Sequence, residues 1–113
     1  MTDELNTLKF LGLAARAGKV VSGFDQVTSC VRRGQAQLLI IATDISRNTL
    51  SKLLDVGQKD NVQLPDAFSF GTQYELGRAI GKPDRALIAI TDKGFADKLS
   101  AMLQSMINKE DIH

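Results

Sequence analysis

The spacing of hydrophobic positions along the chain alternates between a helical and an extended period. Four segments carry apolar residues at intervals of three and four, which is typical of helices that bury one face. A further helix is indicated by the capping pair Thr72 and Glu75 and by Gly81 and Pro83 at its end. Four segments are short apolar runs that indicate strands. In chain order they predict α-β-α-β-α-β-α-β-α, and strands that alternate with helices favour a largely parallel sheet covered by helices on both faces.

The five predicted helices are delimited by capping residues and glycines. The expected N-terminal caps are Thr2 or Asp3, Ser22, Asp44 or Ser46, Thr72 with Glu75 in a capping box, and Asp92. The expected ends are Gly18, Gly34, Gly57 and Gly81. The apolar residues expected to face the core are Leu5, Leu8, Leu11 and Ala15, then Phe24, Val27 and Val31, then Leu50, Leu53 and Leu54, and finally Phe95, Leu99, Met102, Leu103 and Met106.

The predicted strands differ in how deeply they should be buried. Residues 38–42 and 86–90 are continuous apolar runs without polar alternation, so both are predicted to be central strands covered on both faces. Residues 19–21 form a short strand. Residues 62–70 form a weaker one at a sheet edge, because Pro65 cannot donate a hydrogen bond to a neighbouring strand.

Composition limits the class of protein. A chain of 113 residues, 43% hydrophobic and 24% charged, fits a single globular domain over residues 1–113. The lone Cys30 rules out an internal disulfide and a cysteine-based zinc cluster. No apolar run approaches the roughly 20 residues that span a bilayer, and the acidic Asp3 and Glu4 are unlike a secretory signal. We therefore expect a cytoplasmic protein without a membrane partner.

The charges are segregated along the chain although the net charge is only +1. From residue 9 to residue 52 there are seven basic residues against two acidic ones, Asp25 and Asp44. Residues 53–75 reverse this balance, and a second basic stretch contains Arg78, Lys82 and Arg85. Such segregation allows one basic face for a polyanion, although ordinary solvated surface charges would give the same pattern.

The residues of common catalytic sites are missing. Neither the phosphate-binding loop motif nor the dinucleotide fingerprint occurs. The single histidine is His113, the final residue, and Cys30 has no histidine partner, so Cys30 is predicted to be a partly buried filler. We therefore expect no enzymatic activity, no cofactor and no bound metal.

The second predicted helix has the character of a binding site. Its polar residues occupy one arc of the helix surface: Asp25, Gln26, Ser29, Arg32 and Arg33. The arc begins after Ser22 and Gly23, where free amide groups suit a phosphate. It ends at two arginines, which can bind phosphates or guanine edges. The alternative is that this is only the polar outer face of an amphipathic helix.

Four stretches match a known pattern in the same order, over nearly the whole chain. They are residues 11–23 (LGLAARAGKVVSG), 33–34 (RG) followed by 38–44 (LLIIATD), 75–82 (ELGRAIGK) and 89–96 (AITDKGFA). With them the chain resembles the kink-turn RNA-binding family of large-subunit ribosomal proteins, the archaeal L-seven-A-e and eukaryotic L-thirty-e proteins, and specifically its bacterial YlxQ-type branch. The resemblance implies a three-layer α-β-α sandwich around a mostly parallel four-stranded sheet.

The resemblance also implies which positions contact RNA. In the family, a Gly-x-Asn-Glu-x-x-Lys pattern opening the second helix enters the widened groove of a sharply bent RNA, where tandem sheared G·A pairs lie. Gly23 is kept here and allows a close approach of the backbone. Gln26 replaces the carboxylate and can still donate and accept at a base edge. Asp25 replaces the amide and Ser29 replaces the lysine, so one charge repels phosphates and one cation is lost.

Two loops complete the implied interface. One is the loop 81–85 before the last strand, which is charged here, and the other contains Thr43 and Asp44 and follows the second predicted strand, residues 38–42. The full expected set of RNA-binding residues is Lys19, Ser22, Gly23, Phe24, Asp25, Gln26, Ser29, Arg32, Arg33, Thr43, Asp44, Lys82 and Arg85. We expect a monomer whose partners are structured RNA, either a kink-turn or ribosomal RNA, and the ribosome.

Two other functions are compatible with the residues. The first is a protein-interaction module on the same fold, and the second is an enzyme acting on a small anionic ligand at the Gly23 helix terminus. A contiguous basic face containing Arg32, Arg33, Lys82 and Arg85 would favour RNA. An exposed apolar patch would favour a partner protein.

Overall fold

The computed structural model of the protein describes residues 3–111, with side chains to residue 107. The elements are α1 (Asp3–Arg16), β1 (Val20–Ser22), α2 (Phe24–Arg32), β2 (Leu38–Ile41), α3 (Arg47–Lys59), β3 (Ala67–Ser69), α4 (Gln73–Ala79), β4 (Leu87–Ile90) and α5 (Lys93–Asp111). This order confirms the predicted alternation. Within the described residues, no helix is long and apolar enough to cross a membrane.

The four strands form one sheet in the order β1-β4-β2-β3. The two apolar runs are its central strands and are buried almost throughout, which confirms the prediction for them. β3 lies at the edge, as Pro65 indicated, but it is shorter than the predicted 62–70. The pairing starts where Leu39 N donates to Asp66 O at 2.8 Å, directly after the proline.

The prediction of a mostly parallel sheet is wrong. Only β2 and β3 pair in parallel, whereas β4 is antiparallel to both β1 and β2. β1, β2 and β3 therefore run in one direction, and β4 is inserted between β1 and β2 in the opposite one. The α/β class and the helices on both faces hold, but the sheet is mixed.

The reversal of β4 follows from the short connection before it. α4 has only seven residues, about 10 Å, and the chain then folds back along it. Lys82 N donates to Gly77 O at 2.8 Å, and Arg85 N donates to Gln73 O at 3.0 Å. The chain thus returns to the start of α4 and enters β4 from the side at which β3 ended.

Two hydrophobic clusters lie on opposite faces of the sheet and give the predicted three layers. The first packs α1, α4 and α5 against one face, through the buried residues Leu11, Leu38, Ile40, Leu76, Ile88, Ile90, Leu99 and Leu103, among others. The second packs α2 and α3 against the other face, through Val27, Cys30, Val31, Leu39, Leu53, Val56, Leu87 and Ala89.

Most helix caps are where the sequence indicates. Ser46 caps α3 by accepting from Thr49 N at 3.1 Å, which decides between the two predicted residues. The capping box of α4 is formed, and Asp92 Oδ2 accepts from Phe95 N at 2.9 Å. Of the two caps expected for α1, Asp3 lies within the helix and Thr2 lies outside the described residues.

Three details of the helices differ from the predictions. α3 does not end before Gly57 but continues to Lys59. Its buried residues are Leu53 and Val56. Leu54 follows Leu53 and so lies on a different side of the helix, where it is 51% exposed instead of facing the core. Leu5 of α1 is also exposed, at 43%, instead of facing the core.

We predict that the contact between α4 and the following loop is sensitive to a single methyl group. A Cβ at Gly77 would lie 2.2 Å from Pro83 O, a backbone atom, so Gly77→Ala should lower the free energy of unfolding by about 1–3 kcal/mol. Urea unfolding followed by circular dichroism measures this. Gly57→Ala is the control, because its Cβ would lie 3.2 Å from the Leu64 side chain and 3.5 Å from the nearest backbone atom, Val62 O. Equal losses in both variants would contradict the prediction.

Candidate nucleic-acid interface

The loops that the sequence singles out meet at one edge of the sheet. β1, β2 and β3 end there and β4 begins there, since Ser22 pairs with Ile88 and Ile41 pairs with both Leu87 and Ser69. We call this the carboxyl edge and define it by residues 22–26, 42–46, 70–73 and 80–86. Backbone hydrogen bonds join its parts: Gly23 N to Leu87 O at 3.0 Å, Ala42 N to Ala86 O at 2.9 Å, and Thr43 N to Gly71 O at 2.7 Å.

Gly23 sets the entry into α2. With φ at 90° and ψ at 153°, Gly23 has a backbone conformation that residues other than glycine rarely adopt. A Cβ would meet nothing within 4 Å, so the requirement is conformational and the surface above it is open. Gly23 is also the N-cap, and it supplies no side-chain hydrogen bond to the first turn of α2. The first amide groups of the helix therefore remain suited to an anion.

Ser22 is not the helix cap that the sequence predicts, because it is the last residue of β1 and its hydroxyl has another partner. Ser22 Oγ accepts from Arg85 Nε at 3.1 Å. The same guanidinium donates from Nη1 to Asp84 O at 3.0 Å and to Pro83 O at 3.4 Å. Arg85 therefore fastens the loop 80–86 to the end of β1, and its hydrogen-bonding capacity is largely used within the protein.

Thr43 and Asp44 also have structural partners at the carboxyl edge. Thr43 Oγ1 donates to Gly71 O at 3.1 Å. Asp44 Oδ1 accepts from Gln73 N at 2.9 Å, and Gln73 Nε2 donates to Asp44 O at 3.0 Å. The Asp44 carboxylate thus lies at the positive end of the α4 dipole, which compensates part of its charge.

The outer arc of α2 agrees with the helical spacing. Asp25 and Gln26 are exposed and Ser29 is half-buried one turn further on. Val27 and Thr28 are buried, and Thr28 Oγ1 donates to Phe24 O at 2.9 Å. Phe24 is half-buried and packs against the core between α2 and the sheet, so its ring anchors the start of the helix.

The expected basic residues do not form one cluster. Lys82 and Arg85 lie at the carboxyl edge, but Arg32 and Arg33 lie at the far end of α2, about 15 Å along its axis from Gly23. Lys19 precedes β1 and is also remote, because its carbonyl accepts from Thr91 N beyond the end of β4. Arg32 Nε pairs with Asp60 Oδ2 at 2.7 Å. A ligand contacting both groups must extend along α2.

Cys30 is inert in its surroundings. It is 1% exposed and packs in the core under α2, deeper than the partial burial predicted. Burial raises the pKa of the Cys30 thiol, and the nearby Arg33 guanidinium offsets only part of that rise. A thiol protonated at neutral pH and closed to solvent is a poor nucleophile.

Three residues at or beside the carboxyl edge were not predicted from the sequence to belong to the site. Gln73 makes two hydrogen bonds to Asp44, and Gly77 leaves the space that the Pro83 carbonyl occupies. Arg47 is exposed at the first position of α3, directly after the loop 42–46. Only Arg47 left a signal in the sequence, as a cation next to the Ser46 cap. The other two depend on contacts with distant residues.

Comparisons with known proteins bear on the same elements. The model of the "Ribosomal protein L7Ae/L30e/S12e/Gadd45 family" matches residues 6–100. The RNA-binding protein YlxQ of Bacillus subtilis (strain 168) is 43% identical over 93 residues, which cover 82% of this chain and 90% of that protein. The large ribosomal subunit protein eL30 of Methanosarcina mazei is 32% identical over 102 residues, which cover 89% of this chain and 93% of the relative.

Two solved structures are similar to the chain. A protein with unknown function from Bacillus halodurans C superposes with a TM-score of 0.76 at 39% identity, covering 87% of this chain and 96% of the other. A 15.5kD RNA binding protein from Giardia lamblia gives a TM-score of 0.71 at 19% identity, covering 91% and 88%. At that identity the second structure establishes a shared fold and nothing more.

We predict that Asp44 supports the carboxyl edge through α4. Asp44→Ala removes the acceptor for Gln73 N and should cost about 1 kcal/mol in the free energy of unfolding. Asp44→Asn keeps an acceptor oxygen at this position and should lose less. Chemical denaturation of the three proteins compares them, and an Asp44→Ala variant as stable as the parent would refute the role.

Proposed function

This chain belongs to the Ribosomal protein L7Ae/L30e/S12e/Gadd45 family, and we propose that it is a non-enzymatic RNA-binding protein associated with the ribosome. The observation that carries the proposal is the carboxyl edge, where the open start of α2 and the loops 42–46 and 80–86 form one surface. The similarity to an RNA-binding protein YlxQ over most of both chains supports it. We further propose that residues 1–113 act as one domain, as a monomer, in the cytoplasm.

The proposed ligand is a kink-turn or another sharply bent RNA with an internal loop. The open surface at Gly23 admits a phosphate backbone close to the first amide groups of α2. Gln26, exposed one turn above, can donate and accept at a base edge. Binding the bent form more tightly than the extended form shifts the RNA toward the bent form, by as much as the two affinities differ.

The proposed contact residues fall into two groups. The group at the carboxyl edge positions the RNA and comprises Ser22, Gly23, Phe24, Asp25, Gln26, Thr43, Asp44, Lys82 and Arg85. The second group, Ser29, Arg32, Arg33 and Lys19, extends the interface away from that edge. Of the first group, Lys82 is an exposed cation on the loop that Arg85 fastens to β1. It is the cation best suited to a phosphate there.

We predict that single cations in both groups contribute to the salt dependence of RNA binding. Lys82→Ala and Arg33→Ala should each weaken binding to any structured RNA. Each should also reduce the slope of log K against log salt concentration by about one unit, as expected when one phosphate contact is lost. Fluorescence anisotropy with labelled RNA at several salt concentrations measures the slope.

Lys98→Ala is the matched control for these variants. Lys98 lies on α5, in the layer on the other side of the sheet, with Nζ 5.1 Å from the Phe10 ring. Its removal changes the net charge equally and should leave the slope unchanged. An unchanged slope in both Lys82→Ala and Arg33→Ala would mean that this surface does not bind a polyanion.

We also predict that restoring the family pattern on α2 strengthens kink-turn recognition. Ser29→Lys adds a cation on the outer arc, and Asp25→Asn replaces a repelling charge with an amide. Each change should improve binding to a kink-turn RNA by about 1–3 kcal/mol if it completes a base-edge contact. The gain should be smaller for a duplex of equal length without the G·A pairs.

Two comparisons separate specific contacts from charge effects. Ser105→Lys adds the same charge at an exposed position on α5 and should improve neither RNA appreciably. Equal gains on the kink-turn and the plain duplex would indicate a general electrostatic effect. No gain on either RNA would mean that the outer arc of α2 does not face RNA.

A further inference from the structure

A surface groove lies between α1 and α4, on the side of the sheet opposite to α2. It has a volume of about 630 Å³, and its apolar lining is formed by Leu5, Leu8, Leu13 and Ala79. Gly12 allows the two helices to come together, since a Cβ there would lie 2.8 Å from Ala79 O. We call this the α1–α4 groove.

The groove leaves large apolar side chains in solvent. Leu5 is 43% exposed, Leu13 is 49% exposed and Tyr74 is 59% exposed. On the other side of α1, Leu11 and Ala14 are fully buried. α1 therefore has apolar residues on two sides, although only one side packs in the core, and a contiguous apolar patch of this kind marks a contact surface.

The rim of the groove is basic. Lys9, Arg16 and Arg78 line it together with a single carboxylate, Glu75. That carboxylate is partly compensated, because Glu75 Oε1 accepts from Thr72 N in the capping box of α4. Arg78 lies against Tyr74, with Nη1 3.2 Å from the hydroxyl and the guanidinium carbon 5.6 Å from the ring centroid.

We propose that the α1–α4 groove binds an acidic amphipathic helix of a partner protein. The apolar floor matches a helix whose leucine-like residues recur at three- and four-residue spacing, and the three cations match carboxylates on its flanks. From Leu5 to Arg16 the groove follows α1 for about 16 Å, which accommodates about three helical turns. This partner is additional to the RNA of the proposed function.

The lining favours protein over RNA as the occupant. Exposed leucines offer no hydrogen bond to a phosphate or a base edge, whereas interfaces with nucleic acids are polar and wet. The groove and the outer arc of α2 also lie in different layers, so a helix in the groove would leave that arc uncovered. A protein bound in the groove would thereby be brought to the RNA.

A designed peptide provides the probe. It is an acetylated and amidated 18-residue helix with leucines in one stripe and glutamates on both flanks, and it is titrated into the ¹⁵N-labelled full chain. We expect saturable chemical-shift changes at α1 and α4. A peptide of the same composition without the stripe, and one with lysines replacing the glutamates, should bind at least about tenfold more weakly.

Leu13→Glu and Arg16→Glu test the groove itself. Each should weaken binding of the acidic peptide by about tenfold or more, since one removes an apolar contact and the other reverses a charge. Leu54→Glu is the matched control, because Leu54 is 51% exposed on α3 in the other layer. It should leave peptide binding unchanged. All three substitutions are at exposed positions, and circular dichroism verifies that each variant is folded.

Four results of the peptide and RNA titrations would overturn the proposal. They are equal binding of the striped and unstriped peptides, unchanged binding by Leu13→Glu, shifts confined to the carboxyl edge, and shifts at α1 and α4 with RNA but not with the acidic peptide. If the free protein sediments as a dimer that Leu13→Glu dissociates, the occupant is a second copy and the proposal is also wrong. RNA affinity measured on the same Leu13→Glu variant tests the proposed function separately and should be unchanged.

Discussion

The arrangement of the candidate interface depends on the reversal of the chain between α4 and β4. Gly77 admits the carbonyl of Pro83, and the backbone bond from Arg85 N to Gln73 O closes the return. This reversal sends β4 between β1 and β2, and it carries the loop 80–86 to the side of Gly23. Without it, a β-α-β crossover would deliver the last strand from the opposite edge, and the loop would be remote from α2.

Because of this constraint, several candidate contact residues also maintain the edge. Arg85 fastens a loop to Ser22, and Asp44 supports the start of α4 through Gln73. Replacing them would alter the shape of the surface as well as its chemistry, so loss of RNA binding in such variants would not by itself identify a contact. Lys82 and Gln26 are exposed, and Asp25 shares the outer arc of α2, so substitutions at these positions report more directly on a ligand.

The sequence predicted features that depend on neighbouring residues more successfully than those that depend on distant ones. Hydrophobic spacing, caps and glycines together located the nine elements of the described residues, and the capping box at Thr72 was confirmed. The direction of β4 was not predictable from its own residues, since it depends on how the chain folds back over α4. Ser22 has the residue type of a cap, but a partner 63 residues away uses its hydroxyl. The sequence also predicted one basic face with both Arg33 and Lys82, although the length of α2 separates these residues. Distances between remote segments depend on the fold and not on neighbouring residues.

The low net charge of the chain limits how strongly it can attract charged partners from a distance. A net charge of +1 would give weak general attraction to a polyanion, so affinity for RNA must come from local arrangement rather than from overall charge. The carboxyl edge, which we propose as the RNA-binding surface, offers mostly main-chain groups, namely the amide groups opening α2 and two loops held by hydrogen bonds. The α1–α4 groove has three cations around leucines, which suits carboxylates on an apolar helix better than phosphates. One chain with balanced charges can therefore offer surfaces to two different kinds of partner, because each surface selects by local geometry.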